Sequence, residues 1–225
     1  LIKSGPMTGW KRKIMNSLSK DRRIFAPATA RNREAIAECL TPRLPKEGTL
    51  LEIASGSGEH GHYLSPLFPD LNWQPTNLLE EQIQSVEAWR IHEERPNFLP
   101  CLKLDAMAEV WPVEEEGYAH RPITAVFNAN MIHIAPWAVC EGLMQGAGRI
   151  LENGGLMFLY GPFQIDGNHT APSNVEFERW LTDQNPDFGI RDIADVGKEA
   201  MRNGLELIES CPMPANNFIQ IFRKK

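Results

Sequence analysis

The sequence predicts an α/β fold: a seven-stranded, mostly parallel β-sheet with helices on both faces and a β-hairpin at its C-terminal end. Short apolar runs alternate with helix-length segments along the chain, which is the pattern of a parallel sheet with right-handed crossovers. One of these runs breaks into a turn of small residues at 54–58 before a helix. The last two runs have no helix between them, so they form a hairpin and one of them runs antiparallel.

Size and composition indicate one ordinary globular domain. The chain has 225 residues, of which 42% are hydrophobic and 23% charged, and no run of about 18 apolar residues predicts a membrane-spanning helix. We expect residues 21–225 to form the domain. Residues 1–20, with the basic run at 11–13, are expected to form a flexible arm that is partly vector-derived. The net charge of −6 argues against bulk nucleic acid as a partner.

The cysteines and histidines show no spacing that indicates a metal site, and we expect none. The histidines include no HExxH pattern, and the pair His60 and His62 is too weak a signal. The cysteines are widely separated, which is typical of reduced thiols, so we expect a cytoplasmic protein. They are Cys39, Cys101, Cys140 and Cys211.

Apolar spacing and turn residues predict each element of the first half. Three- and four-residue spacing over 28–40 predicts a helix, which ends at Thr41 because Pro42 disfavours helical geometry in the residue before it. An apolar run at 49–53 predicts the first strand. The further elements predicted up to residue 104 are a helix at 59–68, a strand at 72–76, a helix at 80–94 and a strand at 98–104.

The second half continues this alternation. Residues 112–121 are polar and turn-rich, and the continuous apolar run at 123–128 is typical of a buried parallel strand. Gly154 and Gly155 follow a predicted helix at 136–151, where a left-handed C-cap favours glycine. The remaining predictions are a strand at 156–160, an irregular loop at 161–172, helices at 174–183 and 193–203, and strands at 205–211 and 217–223.

The turn at 54–58 predicts a nucleotide- or nucleoside-binding site. Its glycines allow a ligand to approach the backbone, since they carry no Cβ, and the helix that follows offers unpaired N–H groups at its start. Glu52 lies within the preceding strand. A dinucleotide site is an alternative, because Gly56, Gly58 and Gly61 satisfy the spacing G-x-G-x-x-G.

Over residues 25–223 the chain resembles the class I S-adenosylmethionine (SAM)-dependent methyltransferases, whose Rossmann-like sheet has this strand order. The segment 52–58 is similar to their first motif, with Ala54 in place of the first glycine, and 153–155 is similar to the Asn-Gly-Gly before their fifth strand. A closer resemblance is to a poorly characterised domain-of-unknown-function family whose animal members are called methyltransferase-like proteins. It rests on residues 25–28, 31–32, 52–60, 130–134, 160–163, 189–192 and 213–217.

The resemblance implies a SAM site, with S-adenosylhomocysteine as the product. Asn77 follows the second strand, where an acidic residue usually holds the ribose; a turn asparagine is the alternative. Asp105 is similar to the residue that accepts a hydrogen bond from the adenine amino group; a helix N-cap is the alternative. Arg31 suits the SAM carboxylate or is a surface residue. The residues implied at the SAM site are Arg31, Glu52, Ala54, Ser55, Gly56, Gly58, Asn77, Asp105, Ala106 and Asn128.

Polar residues after the fourth and fifth strands are candidates for the acceptor side, because ligands of open α/β sheets lie outside the carboxyl ends of the strands. His133 is the candidate base, since imidazole titrates near neutral pH; a structural histidine is the alternative. Asn130 and Tyr160 are the other candidate catalytic residues. For the asparagines of the last hairpin, turn chemistry is the alternative to acceptor binding. The candidates for binding the acceptor are Asn216, Asn217 and His169.

The resemblance therefore implies a SAM-dependent methyltransferase that acts on a small molecule or a protein side chain. A non-catalytic protein of this fold that binds a ligand or partner is the alternative, favoured by the departures at Ala54 and Asn77. A nicotinamide-dependent oxidoreductase is less favoured, because Glu52 within the strand indicates SAM. The sequence leaves the acceptor and the oligomeric state open, and we expect no membrane partner.

Overall fold

The structure is a computed structural model that describes residues 21–120 and 122–225. The predicted N-terminal arm lies outside the described residues. The helices are α1 (Pro27–Leu40), α2 (Glu59–Leu64), α3 (Glu80–His92), α4 (Trp137–Ile150), α5 (Pro172–Gln184) and α6 (Ile193–Arg202). The strands are β1 (Gly48–Ile53), β2 (Leu71–Asn77), β3 (Leu102–Lys103), β4 (Ile123–Ala129), β5 (Leu156–Gly161), β6 (Gln164–Ile165), β7 (Asn168–His169), β8 (Leu205–Met213) and β9 (Asn217–Lys224). Among the described helices, none has the length and hydropathy that a bilayer span needs.

Seven strands form one sheet in the order β3-β2-β1-β4-β5-β9-β8. The strands from β1 to β5 pair in parallel, whereas β9 lies antiparallel between β5 and β8. β8 is therefore parallel to the first five strands, and its connection to β9 lies at their carboxyl ends. This arrangement confirms the predicted fold, including the C-terminal hairpin.

The sheet is buried on both faces. Neighbouring residues of a strand point to opposite sides, so Leu50 and Leu51 belong to different apolar clusters. Leu50 packs in a cluster with Phe127 and residues of α1, α2 and α3, and Leu51 packs in a cluster with Val126 and residues of α4 and α6. Helices therefore cover both faces, as the sequence predicts.

Two predicted elements are shorter than expected, and a proline explains each. β3 spans only two residues, because Pro100 has no N–H to donate to a strand ladder. The helix predicted at 59–68 is an α-helix only to Leu64 and continues as a 3-10 turn over Ser65–Leu67. In a continued α-helix the ring of Pro66 would clash with the carbonyl group four residues earlier.

The segment predicted as an irregular loop contains a small hairpin of β6 and β7. Asp166 and Gly167 form its two-residue turn, with φ values of 52° and 73°. A type I′ turn requires positive φ at both positions, which is why Asp-Gly favours it. The dipeptide was therefore a hairpin signal that the sequence analysis missed.

Two glycines of α4 allow it to pack closely on the chain between β3 and β4. A Cβ at Gly146 would lie 1.9 Å from Cζ2 of Trp111, and one at Gly142 would lie 2.6 Å from the carbonyl oxygen of Ala106. Trp111 is fully buried. This packing fixes residues 105–107 against α4.

We predict that Gly146→Ala destabilises the protein by about 1–3 kcal/mol, since the added methyl group must displace the Trp111 ring. The free energy of unfolding in urea measures the effect. Gly197→Ala is the matched control: a Cβ at Gly197, within α6, meets no atom within 4 Å, so alanine should stabilise the helix by about 0.4–1 kcal/mol. Equal stability of the Gly146→Ala variant and the wild type would contradict the close packing.

Candidate functional site

A cavity of about 540 Å³ lies at the carboxyl ends of β1, β2 and β4, where ligands bind in open α/β sheets. Its walls come from the start of α1, the β1–α2 turn, and the residues after β2, β3 and β4. The lining residues are Ala26, Ala28, Thr29, Asn32, residues 52–57, His60, Leu78, Leu79, Gln82, residues 104–107, Ala129, Asn130, Met131, Ile134, Ala135 and Val139.

The charged side chains of the cavity lining are carboxylates. Glu52 and Asp105 line the cavity, and no lysine or arginine of the described chain does. Most other lining residues are apolar or carry a neutral polar group. The cavity therefore favours a ligand with positive charge and disfavours an anionic one.

The β1–α2 turn presents its backbone to the cavity. Ala54 and Gly56 have positive φ, at 54° and 58°, and a Cβ at Gly56 would meet no atom within 4 Å. Gly58 also has positive φ, at 88°, but a Cβ there would lie 2.9 Å from Cγ2 of Val86. Gly58 therefore allows the turn to pack on α3, and it does not line the cavity.

Asn77 holds this turn from the end of β2. The Gly56 N–H donates to Asn77 Oδ1 at 2.8 Å, and Asn77 Nδ2 donates to the Gly56 carbonyl at 3.2 Å. The Ser55 N–H donates to the Thr76 carbonyl at 2.8 Å. Asn77 is buried, and both ends of its amide are used on Gly56, so it supports the turn and does not line the cavity.

Glu52 is a residue of the cavity lining, and its carboxyl group is buried. Its Oε2 accepts a hydrogen bond from Nε1 of Trp73 at 2.8 Å, and the residue is 2% exposed. Burial raises the pKa of Glu52 to about 7, although the Trp73 hydrogen bond acts in the opposite direction. A cation bound next to this group would favour its ionised form.

The chain before α1 closes one side of the cavity. The Ala26 N–H donates to Oε2 of Glu59, and the same oxygen accepts a hydrogen bond from the Ser57 hydroxyl at 3.1 Å. The Ile24 N–H donates to Ser85 Oγ at 2.8 Å. These bonds tie the segment to the β1–α2 turn and to α3, so that Ala26 forms part of the cavity wall.

Two polar residues that the sequence analysis did not select, Asn32 and His60, line the cavity together. His60 Nε2 lies 2.9 Å from Asn32 Oδ1, and burial lowers the pKa of His60 to about 4. Burial raises the pKa of Tyr160, and a hydrogen bond from Asn32 acts against this rise. Asn32 and His60 lie in segments that carry the family resemblance, so a signal existed. Gln82 also lines the cavity, from α3, but its segment carries no part of the family resemblance, so no sequence signal pointed to it.

Asp105 and Ala106 line the cavity in the turn after β3. Asp105 Oδ1 accepts a hydrogen bond from the Met107 N–H at 2.9 Å, and no α-helix begins there, so it is not a helix N-cap. Asn128 is buried in β4, and its Nδ2 donates to the Ile53 carbonyl at 2.8 Å. Asn128 therefore ties β4 to β1 and does not line the cavity.

His133 lies in the interior, in a 3-10 turn after β4. It is fully buried, its ring lies 5.1 Å from that of Phe163, and burial lowers its pKa to about 3. Its Nδ1 lies 3.3 Å from the backbone nitrogen of Arg191, and its Nε2 has no partner among the described residues. Because the ring is fully buried outside the cavity lining, His133 is not placed to act as the base that the sequence predicts.

The other acceptor-side candidates separate into two groups. Asn130 lines the cavity with φ at 64°, in the left-handed region. At the β8–β9 connection, Asn216 Nδ2 donates to Ser173 Oγ of α5 at 3.3 Å. Asn217 Nδ2 donates to the carbonyl of Pro214, in its own turn, at 3.2 Å, as expected of a turn asparagine. The sequence-predicted site residues that do not line the cavity are Arg31, Gly58, Asn77, Asn128, His133, Tyr160, His169, Asn216 and Asn217.

The predicted residues that the fold does bring together belong to the turns after β1, β3 and β4. No three His, Cys, Asp or Glu side chains within the described ranges form a group that could hold a metal ion. The predicted residues in the cavity lining are Glu52, Ala54, Ser55, Gly56, Asp105, Ala106 and Asn130.

A protein-family model matches most of the chain. The family model described as "Protein of unknown function (DUF938)" matches residues 23–224. The match covers most of the chain and includes every segment of the cavity wall.

Solved structures of the same fold include methyltransferases of low sequence identity. The mitomycin 7-O-methyltransferase MmcR has a TM-score of 0.73 and 12% identity, and the alignment covers 96% of this chain and 60% of that one. CalO1, a methyltransferase of calicheamicin biosynthesis in its SAH-bound form, has a TM-score of 0.66 and 14% identity. The alignment covers 85% of this chain and 54% of that one. The chain thus spans about three fifths or less of their length.

A chain from the Haloferax volcanii complex with the Trm112 methyltransferase activator has a more similar length. Its TM-score is 0.66 and its identity 15%, and the alignment covers 87% of this chain and 91% of that one. At these identities the comparisons show the fold, which is that of class I methyltransferases.

We predict that Glu52→Gln raises the free energy of unfolding at pH 8 and changes it little at pH 4. The folded-state pKa of Glu52 is about 7, against an ordinary value of 4.5, so between these values the folded protein holds a proton that the unfolded chain has released. Stability therefore falls as pH rises through this window, by roughly 3 kcal/mol for this group. Glutamine keeps a hydrogen-bond acceptor for Trp73 and has no carboxyl group to ionise, so the variant does not lose this stability as the pH rises.

Urea unfolding of the wild type and the Glu52→Gln variant at several pH values between 4 and 8 tests this prediction. The difference between the two free energies should grow with pH and level off above the folded-state pKa. A difference that does not depend on pH would mean that Glu52 titrates normally.

Proposed function

The chain belongs to the DUF938 family, and we propose that it is a SAM-dependent methyltransferase that binds SAM in the cavity at the carboxyl ends of β1, β2 and β4. Its acceptor is a small molecule or a protein side chain. SAM supplies a methyl group on a positively charged sulfur. The chain's own residues bind and orient the two reactants and exclude water.

The charge of the cavity is the observation that carries this proposal. SAM has a sulfonium, an ammonium and a carboxylate group, so its net charge is positive, and it has no phosphate. Glu52 and Asp105 are the charged side chains of the lining, and no cationic side chain of the described residues joins them. A buried carboxyl group with a pKa near 7 is stabilised as an anion when a cation binds, so binding offsets part of the cost of its burial.

The walls of the cavity suit different parts of SAM. Glu52 suits the ammonium group. Asp105 uses Oδ1 on a backbone N–H, which leaves Oδ2 for the adenine amino group. Leu79 and Met107, which are 59% and 54% exposed, offer apolar contact to the adenine ring. Covering such exposed apolar groups with a ligand contributes to binding.

The ribose contact differs from the one implied by the family resemblance. Asn77 uses both ends of its amide on Gly56, so it has little left for the ribose hydroxyls. Gln82 lines the cavity from α3, next to the end of β2. We assign the ribose contact to Gln82, whose amide can both donate and accept.

Two other functions fit less well. A nicotinamide-dependent oxidoreductase binds a pyrophosphate on backbone N–H groups at the start of a helix, but here the Gly56 N–H is used by Asn77 and the cavity is lined by carboxylates. A non-catalytic SAM-binding protein is the second candidate function. It is favoured by one observation, the burial of the candidate base His133 outside the cavity lining.

We predict that SAM and S-adenosylhomocysteine bind the full chain in calorimetry and that NAD does not. The affinity for SAM should rise about tenfold between pH 6 and pH 8, because the fraction of ionised Glu52 rises about tenfold around a pKa of about 7. Glu52→Gln should weaken SAM binding and remove this pH dependence. Glu34→Gln, a change at an exposed position of α1, is the matched control and should leave the affinity for SAM and its pH dependence unchanged.

The absence of SAM and S-adenosylhomocysteine binding below millimolar concentration would exclude the proposed function. If SAM binds, incubation with methyl-labelled SAM and fractionated small molecules and proteins separates an enzyme from a binder. We expect label in an acceptor fraction, and less of it with Glu52→Gln. Binding without transfer to any fraction would support the non-catalytic alternative.

A further inference from the structure

His60 presents a fixed nitrogen to the cavity. Its Nε2 lies 2.9 Å from Asn32 Oδ1, and an amide oxygen only accepts hydrogen bonds, so the ring proton is on Nε2. Nδ1 then carries a lone pair, and it makes no hydrogen bond within the described residues. Since His60 lines the cavity, Nδ1 is the nitrogen that is free to accept a hydrogen bond from a ligand.

The orientation of this imidazole is fixed from two sides. Asn32 Oδ1 holds one side of the ring, at His60 Nε2. The ring of His60 also packs edge-on against Phe127, with centroids 6.1 Å apart and an interplanar angle of 85°. Groups on α1 and β4 therefore hold a side chain of α2 in one place.

The same imidazole is uncharged at neutral pH, because burial lowers the pKa of His60 to about 4. A neutral ring accepts a hydrogen bond at Nδ1 without adding positive charge to the cavity. A charged imidazolium would carry a proton on both nitrogens and would repel a cationic ligand. His60 is thus suited to a ligand group that is itself a cation and a hydrogen-bond donor.

His60 and Glu52 lie on the same part of the cavity wall. A Cβ at Gly61, the next residue of α2, would lie 2.8 Å from Glu52 Oε2. The backbone next to His60 is therefore in contact with the Glu52 carboxyl group. One residue offers negative charge and the other a directed lone pair.

We infer that Glu52 and His60 together bind the α-ammonium group of the methyl donor. This inference rests on the proposed function and adds a specificity-determining residue to it. An ammonium group has three N–H donors; Glu52 provides the charge for it, and His60 accepts one of its hydrogen bonds. The pair therefore selects donors that carry an amino group over otherwise similar nucleosides.

Calorimetry with three probes tests the inference: S-adenosylhomocysteine, its desamino analogue with hydrogen in place of the amino group, and methylthioadenosine, which lacks the amino-acid part. The wild type should prefer S-adenosylhomocysteine to the desamino analogue. His60→Leu should lower the affinity for S-adenosylhomocysteine about 10–100-fold, the value of a hydrogen bond to a charged group. The other two affinities should change less than about twofold, which also shows that the variant is folded.

His62→Leu is the matched control, because His62 lies on the same helix but outside the cavity lining; it should leave all three affinities unchanged. Equal losses for S-adenosylhomocysteine and the desamino analogue in His60→Leu would overturn the inference and indicate a structural role. An unchanged affinity for both would overturn it as well.

A measurement on the wild type keeps the test independent of how the variants fold. In nitrogen-15 spectra of the histidine rings, the Nδ1 resonance of His60 should shift upfield when S-adenosylhomocysteine binds and stay unchanged with the desamino analogue. The same shift with both probes would overturn this inference and leave the proposed function standing. A wild type that binds none of the three probes would instead exclude the proposed function.

Discussion

The buried carboxyl group of Glu52 is the constraint on which the rest of the site depends. β1 lies between β2 and β4, so a charged group near its end is covered from both sides and loses its water. One hydrogen bond from Trp73 does not offset this loss, and the pKa is raised to about 7. An apolar residue would be easier to bury at this position. A carboxyl group in a cavity lining, present despite the free-energy cost of its burial, is what a site for a cation requires.

The turn above this carboxyl group involves both positions, Ala54 and Asn77, at which the chain departs from the motif that it resembles. A carboxylate only accepts hydrogen bonds, whereas the amide of Asn77 donates and accepts, so it binds both the N–H and the carbonyl of Gly56. At this position the amide therefore fixes the turn. Ala54 has φ at 54°, where an alanine costs about 1–2 kcal/mol. The two bonds from Asn77 help to hold the turn in this strained conformation.

The sequence was most informative where the relevant contacts are local. Apolar runs located the strands, and the missing helix between the last two revealed the hairpin. The turn at 54–58 was found because its residues are consecutive. Contacts between distant segments were missed: Asn32 and His60 are 28 residues apart and meet only when α1 packs beside α2. His133 was misjudged for a related reason, since its position after β4 is visible in the sequence but the burial of its ring against Phe163 is not.

The chain after β4 limits what the proposed reaction can use as an acceptor. Arg191 donates to the carbonyls of Ile132 and Ala135 at 2.9 and 2.6 Å, which fixes the segment that follows Asn130. The Asn130 amide is then the polar side chain of this wall, and an amide takes no proton at neutral pH. Under the proposed function Glu52, Asp105 and His60 contact the methyl donor, so an alcohol acceptor would lack the base that it needs, whereas a neutral amine or an ionised thiol already has a free lone pair. Of these two, we expect the amine as the acceptor of the proposed reaction, because the carboxylates of the lining repel an anion.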